Sequence, residues 1–263
     1  PANLESLYNL SELKKEILDR TLKKKIIDTI KSDYTSKKDE AYGNFLLAKF
    51  ELMDENLDGE FTYLLKGHQN YYDYKLRAFQ RGVKYWLDDL PEIKELEHVN
   101  ENTIDNEIKP IFIIGVPRCG STLVEKVITS GNKKIPIGEE SNVINHFVGE
   151  RVLAKKSLSS NIEELKDQIN AKYKELGLVK KENNYIFTDK TLDNFFFIGI
   201  IKKIFPSAKV INCQRNPLSS IISILKNNLG DIPWAHNLEH IFKYFDIYYN
   251  KINFFNKKYP NYI

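Results

Sequence analysis

Residues 110–129 constrain the fold of this chain more than any other stretch. They read PIFIIGVPRCGSTLVEKVIT: an apolar run from Pro110 to Gly115, the loop Val116-Pro117-Arg118-Cys119-Gly120, then a helical pattern from Ser121 to Thr129. An apolar run without alternation suits a strand covered on both faces, as in a parallel sheet. Glycine lets the loop turn tightly and approach a ligand. The first N–H groups of the helix, with the positive end of its dipole, then face whatever sits there. An anion site is expected, with Arg118 adding a guanidinium and Ser121 and Thr122 adding hydroxyls.

The spacing follows the phosphate-binding form G-x-x-x-x-G-K-[ST] except at Ser121, which stands where the Lys would be. That Lys reaches the β- and γ-phosphates of a triphosphate. Without it the loop better fits a phosphosulfate, which needs fewer charges neutralised. Further apolar strands are expected at Tyr185–Thr188 and Lys209–Cys213. Helices are expected at about 159–176, Leu192–Phe205, Leu218–Asn228 and about 237–257. Strands alternating with helices argue for parallel pairing with right-handed crossovers. The fold class is α/β: a P-loop-like parallel sheet flanked by helices.

A helical region precedes it. From residue 1 to about 98, apolar residues recur at helical spacing (Leu13, Ile17, Leu18, Leu22, Ile26, Ile27, Ile30), then over Ala41–Met53 and Phe61–Trp86. The hairpin at 41–72, with small Ala48 allowing close approach, resembles one tetratricopeptide (TPR-like) helix pair. An ordinary α-hairpin fits the same pattern. The polar stretch 99–109 marks a boundary, dividing the chain into 1–98 and 109–263.

Three further elements carry chemistry. Arg215 closes the strand Lys209–Cys213, where ligands of open α/β sheets bind. Ser223 lies eight residues on, after a Pro217 suited to the first turn of a helix, so both could reach one phosphate. Thr188-Asp189-Lys190 follows another strand and adds a cation, Lys190, to the same edge. Gly138-Glu139-Glu140 offers adjacent carboxylates that cannot face the same way; one of them suits a general base. His146 is the next candidate base.

Composition excludes several classes. With 42% hydrophobic and 29% charged residues the chain can fold, and no apolar run approaches the ~20 residues of a membrane span. A net charge of +3 gives no support for nucleic-acid binding. Only six of the 39 basic residues are Arg, so Arg118 and Arg215 stand out. Cys119 and Cys213 make no disulfide framework, and the five His show no ligand spacing; a reducing, cytoplasmic setting without a metal site is expected. The first 20 residues hold no signal-peptide core. The start at Pro1 and the stop after Tyr259-Pro260-Asn261-Tyr262-Ile263 read as those of a fragment of a longer protein.

Taken together, PIFIIGVPRCGSTLVEKVI, FTDKTLDNFFFIGIIKKIFPSAKV and KVINCQRNPLSSIIS resemble the sulfotransferases that use 3′-phosphoadenosine 5′-phosphosulfate. The protein-tyrosine sulfotransferases and the bacterial tetratricopeptide-sulfotransferase proteins are the most similar. The resemblance implies that Arg118, Cys119, Gly120, Ser121 and Thr122 hold the 5′-phosphosulfate, with Cys119 at a position where Ser is more usual. It implies that Arg215 and Ser223 hold the 3′-phosphate, and that Lys190 stabilises the leaving oxygen. Glu140, with Glu139 as its alternative, would be the base. It further implies a hydroxyl acceptor (a protein tyrosine or a carbohydrate), adenosine 3′,5′-bisphosphate as product, no metal, and a protein partner on the helical region. Such relatives continue past residue 263 into segments that help cover the adenine. A P-loop kinase or NTPase, and a catalytically incomplete helical scaffold, are the alternatives.

Overall fold

The computed structural model describes residues 3–32, 34–96, 106–131, 134–158, 161–179 and 185–263. The expected boundary at 99–109 lies outside the described residues up to position 105, as do the first two residues of the helix expected from 159. Two compact units make up the chain: Pro1–Trp86 with Ile221–Lys243, and Leu87–Ser220 with Tyr244–Ile263.

The first unit is helical: α1 (Leu4–Leu13), α2 (Arg20–Ile30), α3 (Lys37–Met53), α4 (Leu57–Tyr74) and α5 (Leu76–Lys84). The apolar spacing from Leu13 to Ile30 crosses a break. Leu13 ends α1 and is 83% exposed, and Asp19 caps α2 by accepting from the Leu22 N–H at 2.6 Å. Helices α3 and α4 form the expected hairpin. Ala48 is buried there, and Gly67 also allows close packing, since a Cβ on it would lie 2.6 Å from the Phe45 ring. Behind this seam His68 and His236 face each other, Nδ1 to Nδ1, at 3.0 Å. Burial lowers both pKa values, His68 to about 4 and His236 to about 3.

The second unit is built on a parallel sheet of order β2-β1-β3, with β1 (Ile111–Gly115), β2 (Thr188–Asp189) and β3 (Lys209–Cys213). The helices are α6 (Ser121–Thr129), α7 (Val143–Leu153), α8 (Ile162–Glu175), α9 (Ile198–Ile204), α10 (Pro217–Leu225) and α11 (Leu238–Lys258), the last two shared with the first unit by the division above. Central β1 is buried from Phe112 to Gly115, as its unbroken apolar run requires. The extended ribbon of β2 begins where expected, since Lys109 N–H donates to Tyr185 O and Ile111 N–H to Phe187 O, both at 2.8 Å. Regular pairing, however, falls at Thr188 and Asp189. The helix expected over Leu192–Phe205 starts as a 3₁₀ turn, Leu192–Phe197, and becomes α9 only at Ile198. Phe195, Phe196 and Phe197 are all fully buried.

All three strands end at one edge, followed by the loop 116–120, by Lys190 and by residues 214–216. Beneath that edge, Asp193 accepts a hydrogen bond from the Tyr244 hydroxyl. Burial raises the Asp193 pKa from 3.8 to about 6; the Tyr244 hydrogen bond opposes this and the Glu140 charge adds to it. The folded state therefore holds this proton more tightly than the unfolded chain does. The resulting stability is complete below about pH 4 and is lost as pH rises through about 6. Asp193→Asn keeps a neutral acceptor for Tyr244. Its thermal midpoint, measured against wild type, is expected to gain steadily from pH 4 to pH 6 and then level off. A gap that stays constant over that window would contradict the assignment.

Candidate functional site

The loop 116–120 leads from the end of β1 into α6. Arg118 is left-handed (φ 67°) and so is Gly120 (φ 95°), which stands at the N-cap of α6 with open space where a Cβ would be. No side chain caps this helix. The Gly120 carbonyl accepts from Leu123 N–H at 3.0 Å and Val124 N–H at 3.2 Å. Arg118 is exposed, Ser121 is buried as the first helical residue, and Thr122 is exposed. Helix α6 thus presents its N-terminal N–H groups and the Thr122 hydroxyl at the sheet edge.

Arg215 comes to this loop from the end of β3, its Nη1 donating to Arg118 O at 3.1 Å. Cys119 and Cys213 are both buried, and β1–β3 register pairs Gly115 with Cys213. A Cβ on Gly115 would lie 3.0 Å from Cys119 Sγ and 2.8 Å from Cys213 O, so only glycine fits between them. Hydrogen bonding from Cys213 lowers the Cys119 pKa to about 6 against the opposing effect of burial, with help from Ser121. The Cys213 thiol is pushed upward in turn. Ser223 lies two turns into α10, partly buried, among the residues of the first unit.

The segment 136–142 runs beside β2. Thr188 N–H donates to Pro136 O at 3.0 Å and Lys190 N–H to Glu139 O at 2.7 Å. Ser141 Oγ donates to Asp189 Oδ2 at 2.6 Å, and Asn142 N–H to Thr191 Oγ1 at 2.9 Å. Lys190 Nζ meets Glu140 Oε1 at 3.0 Å; the Lys side chain is 7% exposed and the Glu side chain 65%. Glu139 is exposed and left-handed (φ 47°). One cleft of about 730 Å³ is lined by Thr122, Glu139, Glu140 and Lys190, together with Glu125, Lys126, Ile137 and Leu176. His146 is not among the residues lining it and pairs instead with Glu150 at 3.7 Å.

Two buried carboxyl groups were not legible as site residues. Asp189 is fully buried and accepts from Ser141, from Tyr173 OH at 2.7 Å, from Thr191 N–H at 2.9 Å and from Asn194 Nδ2 at 3.3 Å. It thereby fixes the backbone on which Lys190 stands. Glu125 is 3% exposed and accepts from the Thr188 hydroxyl at 2.7 Å and from Glu139 N–H at 3.2 Å. A signal for it did exist: Glu125 falls four residues after Ser121, on the same face of the helix.

Replacing Cys213 by Ala removes the thiol that stabilises the Cys119 thiolate. The Cys119 titration, followed by ultraviolet thiolate absorbance, is expected to move upward from about 6 in Cys213→Ala. An unchanged midpoint would show that the helix terminus alone sets it.

Comparison with known proteins bears on this site. A family model described as the sulfotransferase family matches residues 110–260. The chain is also similar to an uncharacterized protein of Aquifex aeolicus (strain VF5), at 26% identity over 239 residues, covering 82% of this chain. The chain spans about 30% of that relative's length. No solved structure matches.

Proposed function

The chain belongs to the sulfotransferase family, and from that premise we propose that it moves a sulfonyl group from 3′-phosphoadenosine 5′-phosphosulfate to a hydroxyl acceptor. The observation that carries this reading is the meeting of Lys190 Nζ and Glu140 Oε1 at 3.0 Å, in the cleft that Thr122 also lines. Such a pair offers a proton acceptor and a cation in the same cleft as Thr122 of the first turn of α6.

The donor's 5′-phosphosulfate suits the loop 118–122: Arg118 supplies charge, Ser121 and Thr122 hydroxyls, and Gly120 leaves room for close approach. Its 3′-phosphate suits Arg215, with Ser223 as the second ligand that the sequence interval indicates. The donor supplies an activated sulfonyl group; the chain supplies orientation and proton transfer. Glu140 accepts the proton of the acceptor hydroxyl as its oxygen attacks sulfur in line. Lys190 stabilises charge on the oxygen that leaves. Glu139 fits the role of base less well, since its backbone is held by Glu125 and Lys190 while Glu140 carries the contact to Lys190.

We assign the acceptor to protein tyrosine or carbohydrate hydroxyls. The region 1–98 reads as a TPR-like module that presents a protein-binding surface ahead of a transferase domain over 109–263; the start of the family match at residue 110 supports that division. Two free thiols, Cys119 and Cys213, support a reducing, cytoplasmic setting. Among the described residues no helix is long and apolar enough to cross a membrane.

Glu140→Gln keeps shape and removes proton acceptance. It is expected to lower turnover ~10²-fold or more with nucleotide affinity unchanged, while Glu139→Gln does much less. Both variants are to be assayed on any acceptor found in a hydroxyl panel. Loss confined to Glu139→Gln would move the base by one residue; no loss in either would remove this carboxylate pair from the chemistry.

A further inference from the structure

Glu125 joins three parts of the cleft that come from distant stretches of sequence. It stands on α6, the helix whose first turn borders the loop 116–120. Its Oε1 accepts from Thr188 Oγ1 on β2 and from Glu139 N–H on the 136–142 segment. The Thr188 hydroxyl in turn accepts from Gly138 N–H at 3.2 Å. Two consecutive backbone donors, at Gly138 and Glu139, therefore end on the Thr188–Glu125 relay. The opposite side of Glu139 is tied by Lys190 N–H to its carbonyl at 2.7 Å.

This clamp acts where the backbone needs it. Glu139 and Asn142 are both left-handed, at φ 47° and 54°, a conformation unfavourable for Glu and better tolerated by Asn. Gly138 lies so close to β2 that a Cβ would fall 1.9 Å from Thr188 O. The chain is pressed onto β2 at Gly138, turned sharply at Glu139, and delivers the Glu140 side chain to Lys190. A carboxyl group 3% exposed is a costly anchor, and it is accommodated here by two hydrogen bonds to one oxygen.

We propose that Glu125 is a positioning residue for the sulfonyl transfer: it sets the distance between the Glu140 carboxylate and Lys190 by holding the Gly138 and Glu139 amides, without touching the reacting atoms. This rests on the reading of the cleft given above. Glu125→Gln retains an acceptor oxygen for both donors, whereas Glu125→Ala removes it.

Amide hydrogen exchange at Gly138 and Glu139 is read beside turnover and beside affinity for adenosine 3′,5′-bisphosphate. Glu125→Ala is expected to speed exchange at Glu139 roughly tenfold, the effect of losing one hydrogen bond. It is expected to cut turnover on the order of 10²-fold, as misplacement by about an ångström does. Nucleotide affinity stays within about twofold, and Glu125→Gln restores both exchange protection and most of the turnover. Unchanged exchange at Glu139 in Glu125→Ala overturns the proposal. So does a Glu125→Gln protein that keeps the amide protected yet loses turnover like the Ala variant, because Glu125 would then act on the reacting atoms. If the wild-type chain transfers no sulfonyl group, the reading of the cleft fails instead, and the exchange result alone decides whether Glu125 holds the segment. Should Glu125→Ala not fold, Thr188→Val severs the same relay, and loss of Gly138 protection is the expected result; retained protection overturns the proposal.

Discussion

Segment 136–142 has no strand of its own and depends for its shape on hydrogen bonds from residues 188–191 and from Glu125. Two come from the backbone of β2 and its extension, at Thr188 and Lys190, and the rest from side chains: Thr188, Asp189, Thr191 and Glu125. Removing any one leaves a neighbouring donor or acceptor without its partner, which is more expensive than the bond itself is stabilising. Because Lys190 continues the same strand, fixing the segment also fixes the Glu140–Lys190 distance. The proposed Glu140–Lys190 pair is thus placed by one ladder.

The second constraint is electrostatic. The three parallel strands end together, and the loop 116–120, Lys190 and Arg215 follow those ends. The N-terminus of α6, Lys190 and Arg215 bring positive charge to that edge, and Glu140 meets Lys190 there at 3.0 Å. Within the loop, hydrogen bonds from Cys213 and Ser121 draw the Cys119 thiol down to about 6 against burial.

Much of this was legible from local patterns. Strands β1 and β3 and helix α6 fall where apolar runs and the glycine loop put them, because those signals are short-range. The gathering of Thr122, Glu140 and Lys190 follows from strand ends sharing one edge. What escaped depended on tertiary packing. The break between α1 and α2 is set by the Asp19 cap rather than by the apolar spacing that runs across it. The 3₁₀ turn at Leu192–Phe197 runs directly into α9, and the apolar pattern across both is the same. Asp189 and Glu125 carry no local pattern that marks them as buried, and only partners 48 and 63 residues away make them anchors.

The proposed edge holds two separate anion sites, one at the loop 118–122 and one at Arg215. Calorimetric titration tests it most directly, with adenosine 3′,5′-bisphosphate, adenosine 5′-monophosphate and Mg-ATP as ligands for the wild-type chain and Arg215→Ala. The bisphosphate is expected to bind tightest in the wild type. In Arg215→Ala it should lose roughly 1.5–3 kcal/mol, the range for a hydrogen bond to a charged group, while the monophosphate barely changes. Equal affinity for bisphosphate and monophosphate, or a preference for Mg-ATP, would contradict the account.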